Sequence, residues 1–226
     1  MPKPAQPTTE VLDAVHVATA TEHDGLPGPM LAEVAFGGRS NVGKSSLINR
    51  LVNRRKLVRT SSTPGATRGL SLFRATLRLP GGVRAQVDLV DLPGYGFAQR
   101  SKKERRSWGP MIEGYLEKRV SLRAVVLLVD VRRGLEEDDL QLLEYLDHLR
   151  RTAIVAVTKI DKASRAERER SVAAIRAAVA KAMPSASARA KIAVIATSAE
   201  TGEGREALWE AIRREAFLGA DLPPVA

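Results

Sequence analysis

From Glu33 onward the chain alternates between short apolar runs and stretches whose apolar residues recur every three or four positions. The runs Glu33 to Gly37, Leu70 to Leu79, Arg84 to Asp91, Ala124 to Asp130, Ala153 to Lys159 and Lys191 to Thr197 read as strands. Some are apolar almost throughout, Ala124-Val125-Val126-Leu127-Leu128-Val129 most clearly, as strands covered on both faces must be. Helical spacing falls at Ser45–Val52, Trp108–Lys118, Glu136–Arg150, Arg165–Lys181 and Arg205–Ala216. Such alternation predicts an α/β fold with right-handed crossovers and helices on both faces of the sheet. The turn Leu79-Pro80-Gly81-Gly82-Val83 joins two strands as a hairpin. It predicts a mostly parallel six-stranded sheet with one antiparallel strand at its edge, and Ala14 to Ala20 is a candidate first strand besides. Residues 1–10 are Pro-rich and polar and predict disorder, leaving one domain over 11–218 and a flexible tail over 219–226.

Between the first of those strands and the first helix lies Gly38-Arg39-Ser40-Asn41-Val42-Gly43-Lys44-Ser45. This is the G-x-x-x-x-G-K-[ST] spacing in a strand–loop–helix setting, which predicts a phosphate-binding loop. Its glycines let backbone N–H groups turn toward an anion, and the helix N-terminus adds a favourable dipole. Lys44 is placed to neutralise β- and γ-phosphates, and the Ser45 hydroxyl to ligate Mg²⁺.

Two later segments say which nucleotide. Asp91-Leu92-Pro93-Gly94 closes a buried strand at the carboxyl end of the sheet, where ligands of such sheets bind. The Asp91 carboxylate can support Mg²⁺ through a water, and the Gly94 N–H can meet a γ-phosphate. Thr158-Lys159-Ile160-Asp161 follows another buried strand, and its carboxylate can accept from guanine N1–H and the exocyclic amine. Adenine offers neither donor there, so the pattern points to GTP. Lys159 can lay its stem along the base, and Thr197-Ser198-Ala199 can bring a backbone N–H to the guanine carbonyl. In Thr60-Ser61-Ser62-Thr63-Pro64-Gly65-Ala66-Thr67-Arg68-Gly69, Thr67 is the expected second Mg²⁺ ligand, with Thr60 and Thr63 as competitors.

Composition narrows the class of partner. The chain has 226 residues, no cysteine and a formal net charge of +10 with a pI near 10.3. Disulfides, thiolate metal sites and cysteine nucleophiles are excluded. Neither a signal peptide nor an apolar run of membrane-spanning length is present, so a cytoplasmic protein without membrane insertion is expected. The charge favours an anionic partner. Basic residues cluster in Asn53-Arg54-Arg55-Lys56-Leu57-Val58-Arg59 and in Arg100-Ser101-Lys102-Lys103-Glu104-Arg105-Arg106. These segments adjoin the two stretches expected to respond to the γ-phosphate, an arrangement suited to nucleotide-dependent docking on rRNA phosphates. Histidines 16, 23 and 148 lack metal-like spacing, and Trp108 follows a helical core pattern.

In order along the chain, GRSNVGKSSLIN, SSTPGATRG, DLPGYGFA, TKIDK and TSA resemble the bacterial EngB (YihA/YsxC) family of GTPases, over roughly Ala14 to Phe217. The resemblance implies a Ras-like P-loop GTPase domain, GTP hydrolysis with Mg²⁺, a role in assembly of the large ribosomal subunit, and a link to cell division and septation. It implies that Gly38, Arg39, Ser40, Asn41, Val42, Gly43, Lys44 and Ser45 hold the phosphates, with Ser45 and Thr67 on the metal. Gly65, Ala66, Thr67, Arg68 and Gly69, with Asp91, Leu92, Pro93 and Gly94, are the implied switch contacts. Thr158, Lys159, Ile160, Asp161, Thr197, Ser198 and Ala199 are implied to hold guanine. Lys44, Thr67, Asp91 and Gly94 would carry the reaction.

Some positions depart from common patterns. Tyr95 stands where many GTPases carry the glutamine that orients attacking water, so slow intrinsic turnover is expected. Asn41 lies where relatives dependent on a monovalent cation place an asparagine that helps bind K⁺. Thr158 replaces the commoner asparagine, Ala66 a common basic residue and Arg68 a common glutamine. A monomer docking on the large ribosomal subunit or its precursor is expected, with no DNA partner. The rivals are a GTP-gated rRNA-binding placeholder with incidental turnover and a cell-division GTPase acting on a protein or the membrane.

Overall fold

Glu33–Gly38 (β2) is buried at all its positions, the condition of a strand with helices on both sides. The computed structural model describes residues 8–58, 69–95, 109–189 and 192–217. Around β2 the other strands are Glu10–Ala20 (β1), Leu70–Arg78 (β3), Arg84–Asp91 (β4), Leu122–Asp130 (β5), Thr152–Thr158 (β6) and Ala193–Ala196 (β7). They form a seven-stranded sheet in the order β1-β3-β4-β2-β5-β6-β7. The helices are Lys44–Leu51 (α1), Gly109–Lys118 (α2), Glu137–His148 (α3), Arg165–Ala182 (α4), Pro184–Arg189 (α5) and Arg205–Phe217 (α6).

The core divides at the sheet. On one face Leu47, Ile48, Leu51, Leu208, Trp209 and Ile212 from α1 and α6 pack on Phe36, Phe73, Leu89 and Val126. On the other, Ile112, Tyr115, Leu116, Leu142, Leu146, Ile175 and Val179 from α2, α3 and α4 pack on Ala35, Val90, Leu127 and Val155. This is the Ras-like α/β architecture.

The sheet corrects the sequence expectation in two respects: it has seven strands and not six, because β1 joins it, and β3 is not its edge. β3 is antiparallel to both neighbours, but it lies one place in from the edge because β1 pairs along its outer side. The pairing of β1 shifts register between Val11 and Asp13 and again between His16 and Ala18. Such bulges break the alternation of inward and outward residues. Ala14 thus joins the α1/α6 core and Ala20 the opposite one, while Val15 and Val17 remain exposed. The start of the ordered body also moves. Thr9 is buried and its N–H donates to both carboxylate oxygens of Glu206 at 3.0 and 3.1 Å, so disorder does not extend to residue 10. Residues 1–7 and the tail expected to be flexible lie outside the described residues.

The helix that follows the phosphate loop is held at its far end by α6. Arg205 Nε donates to the Arg50 and Leu51 carbonyls at 3.1 and 3.0 Å, and the buried Trp209 Nε1 donates to Leu51 O at 3.0 Å. Arg50 O also accepts from Asn53 N at 3.2 Å, whereas Leu51 O lies in the last turn, where a carbonyl has no helical partner. At the other end, the carboxyl termini of β2, β4, β5 and β6 deliver their loops to a common edge, where ligands of parallel sheets bind.

Candidate functional site

Gly38 ends β2, and the loop from Arg39 to Gly43 curls back to the start of α1. Gly43 has φ 104, a left-handed conformation that a side chain would strain, and its carbonyl accepts from Leu47 N at 2.9 Å to open the helix. The second strand loop closes against the first: Ser40 N donates to Tyr95 O at 3.1 Å and Tyr95 N to Gly38 O at 3.4 Å. A Cβ on Gly94 would come within 3.0–3.3 Å of Ser40, so glycine sets how near the two loops can stand.

Lys44 and Asp91 are both buried, and their side chains form an ion pair. Burial raises the Asp91 pKa, and Lys44 opposes that shift. The pair brings the phosphate-loop lysine and the expected metal-supporting carboxylate into direct contact. Ser45 is half-buried at the second position of α1. Among the described residues no cluster of three or more His, Asp or Glu side chains could hold a metal by itself.

The segment expected to select the base is more elaborate. Ser198 Oγ donates to Asp161 Oδ1 at 2.6 Å, the leading reason the Asp161 pKa is lowered. Asp161, Lys159 and Ala199 line a cavity of about 220 Å³ together with Gly43, Ser46 and Leu47. Lys159 has φ 58, and its ammonium donates to Asn41 O at 2.7 Å and pairs with Asp130 at 3.1 Å. Thr158 Oγ1 donates to Val42 O at 2.8 Å. The segment expected to select the base is thereby fastened to the phosphate loop at two points.

Some expected contacts play other parts. Ile160, Leu92 and Val42 are buried core residues, so their side chains hold loops rather than ligand. Thr197 and Ser198 give their N–H groups to Val157 O at 2.7 Å and Glu203 O at 3.0 Å. Gly69 packs at the start of β3 against Ala20, where a Cβ would meet Ala20 O at 2.4 Å, so close packing calls for glycine here. Arg39 points its guanidinium at α3, pairing with Asp138 at 2.9 Å and Glu136 at 3.2 Å. Gly65, Ala66, Thr67 and Arg68, the competitors Thr60 and Thr63, the basic run from Arg100 to Arg106 and Trp108 lie outside the described residues.

Sequence reasoning missed Asp130, at the end of β5. It is held by Arg132 at 2.7 Å as well as by Lys159, and these hydrogen bonds outweigh burial and take its pKa far below the usual carboxylate range. An aspartate closing an apolar strand, as Asp91 does, was the available signal. It also missed Asn49, whose amide exchanges two hydrogen bonds of 2.8 Å with the backbone of Val58.

A sequence profile described as 50S ribosome-binding GTPase matches residues 33–159, and one described as elongation factor Tu GTP binding domain matches residues 118–216. The chain is 45% identical over 197 residues to the probable GTP-binding protein EngB of Heliobacterium modesticaldum, which covers 87% of this chain and 89% of that protein. The chain belongs to the EngB family. It is 57% identical over 146 residues to the EngB protein of Myxococcus xanthus, covering 64% of this chain and 70% of that one. The crystal structure of a probable GTP-binding protein EngB superimposes with a TM-score of 0.57 at 27% identity, over 82% of this chain and 98% of that one. As an EngB-family GTPase the protein binds GTP and GDP. Asp161 borders the cavity, and its second carboxylate oxygen pairs with Lys162 at 3.5 Å.

Proposed function

We propose that this GTPase acts with Mg²⁺ and docks, according to its nucleotide state, on the large ribosomal subunit or its precursor. The observation that carries the nucleotide half is Asp161 held by Ser198 beside a cavity that Gly43 and Lys159 also line. With the N–H groups of Thr197 and Ser198 taken, the Ala199 N–H is the donor for the guanine carbonyl. GTP offers Lys44 a second anion, so the lysine shifts from Asp91 to the phosphates and frees the carboxylate toward the metal. Ser45 fits Mg²⁺ as a hydroxyl ligand beside phosphate oxygens, with Thr67 as its partner ligand. Asn41, exposed and with φ 65, is the candidate K⁺ contact; equal turnover in NaCl and KCl would remove it.

The ribosomal half is supported by the +10 charge and by the description of the profile that covers residues 33–159. Co-sedimentation with large ribosomal subunits, loaded with GTP analogue or GDP across a salt range, tests it. Binding favoured in one nucleotide state and weakened by salt is expected; binding indifferent to both sinks it. The family's link to cell division and septation would then follow from ribosome supply.

One observation favours a placeholder with incidental turnover: the Tyr95 hydroxyl donates to Asp139 at 2.7 Å and both residues are buried, so it is not placed beside an attacking water. A variant that binds GTP without hydrolysing it separates the two, since only a placeholder would still support assembly. A membrane role draws no support from the fold, as no helix among the described residues is long and apolar enough to cross a bilayer.

A further inference from the structure

At the far end of α1 a cleft of about 440 Å³ is lined by Ser46, Asn49, Arg50, Asn53, Arg54 and Arg55, and by Ala199 from the guanine loop. Its lining holds three guanidinium groups, of which Arg50's already donates to the Ala199 and Glu200 carbonyls, and neither a carboxylate nor an aromatic ring. The C-terminal end of α1 would ordinarily present negative partial charge here. Arg205 and Trp209 already occupy those carbonyls, so the cleft presents positive charge instead. Arg55, Asn53 and Ser46 are exposed. Arg54 pairs with Asp13 at 3.2 Å across open surface, a contact of small worth that a phosphate can displace.

Guanidinium forks match phosphate oxygens, and several set side by side suit a chain of phosphates better than a single anion. Single-stranded RNA is held chiefly by stacking its bases on aromatic rings, and this cleft has none. A-form duplex RNA is recognised through backbone and 2′-hydroxyls, for which arginines, the exposed Asn53 amide and a serine are the fitting donors. We infer that this cleft seats the phosphate backbone of double-stranded RNA and communicates its occupancy to the nucleotide site. The inference rests on the ribosomal reading above and supplies its contact surface. Two connections reach the nucleotide. Asn49 clasps Val58, the last described residue before the segment expected to carry the Mg²⁺-binding threonine. Arg50 Nε donates to Ala199 O at 2.5 Å, on the loop that meets guanine.

The test uses a short fluorescein-labelled RNA duplex, its single-stranded form, and large ribosomal subunits, with the full chain loaded with GDP or a GTP analogue. Arg54→Glu/Arg55→Glu is compared with wild type and with Arg165→Glu/Arg170→Glu, an equal charge change on the exposed face of α4. Wild type should prefer the duplex, with an affinity that differs between nucleotide states. The cleft variant should bind it at least about tenfold more weakly, with a salt slope reduced by about two. Its affinity for fluorescent GDP and its melting temperature should remain those of wild type. Four results would overturn the assignment: no duplex binding by wild type, preference for the single strand, no loss in the cleft variant, or equal loss in the α4 variant. Equal duplex affinity in both nucleotide states would overturn the communication. Subunits that sediment equally with wild type and cleft variant remove the cleft but leave the ribosomal reading. Cleft-dependent duplex binding without subunit binding does the reverse.

Discussion

Tyr95 hangs from Asp139: its phenolic O–H donates to Oδ1 at 2.7 Å, while Oδ2 of the same carboxylate accepts the Glu136 N–H at 3.0 Å. One buried carboxylate therefore starts α3 and fixes the residue directly after the D-L-P-G segment. The main chain of Tyr95 in turn bridges to Arg39 and Ser40. The phosphate loop, the strand end expected to meet the γ-phosphate, and α3 meet at this tyrosine.

Tyr95→Phe should therefore act on stability more than on turnover. It leaves a buried carboxylate oxygen short of its donor, at a cost of about 1–3 kcal/mol. Urea unfolding measures the loss. A large fall in GTP turnover with unchanged stability would give the hydroxyl a catalytic part instead.

Alkaline pH should expose the same contact. Burial, then the neighbouring Asp139, pushes the Tyr95 hydroxyl well above the ordinary tyrosine value of about 10; burial and Glu33 do the same for Tyr115. In the unfolded chain both ionise near 10, so above that pH the unfolded state binds fewer protons and stability falls as pH rises. Each tyrosine adds about 1.4 kcal/mol per pH unit to the slope. Tyr95→Phe should remove half of this tyrosine contribution, read from urea midpoints on either side of pH 10.

Asp161→Asn should exchange the base preferred. An amide in place of the second carboxylate oxygen sets donor against donor at the guanine amine, but it matches a carbonyl at that position. GTP affinity should fall by about tenfold to a hundredfold, and xanthosine triphosphate should gain. Competition binding against fluorescent GDP reports both. Unaltered preference would place Asp161 outside the base site.

Lys44→Ala should cost twice over. The phosphates lose their neutralising charge, and Asp91 remains buried without its partner, a change worth about 3–5 kcal/mol of stability. Calorimetry of the free protein separates the second effect from the first. A variant as stable as wild type would mean that Asp91 relaxes to solvent.

Glu33 offers a control remote from the ligand. It is buried, accepts from Tyr115 at 2.9 Å and holds Arg119 at 2.6 Å. Glu33→Ala should lower stability by about 3–5 kcal/mol, and GDP affinity measured well below the melting temperature should stay unchanged.

Local spacing made the phosphate loop, the D-L-P-G strand end and Thr158 to Asp161 legible, because each is a run of consecutive residues following an apolar strand. β4 matches its predicted bounds for the same reason: both flanking turns are written in glycine, proline or aspartate. What stayed hidden joins residues far apart in sequence, as Asp139 to Tyr95, Arg39 to Glu136 and Asp138, and Asp130 to Lys159. Nothing local marks a buried tyrosine's acceptor. β1 was half legible, since its bulges scramble the alternation that identifies a strand.

The attachment of Trp209 and Arg205 to the end of α1 also bears on the order of events during synthesis. The chain emerges from its N-terminus, so the loop that grips phosphate and the helix behind it are complete long before the residues that cap that helix exist. Glu206, one residue after Arg205, likewise gathers in Thr9 only at the close. A chain halted before α6 would carry every described residue expected to face the nucleotide and still lack the contacts that hold the end of α1 in place.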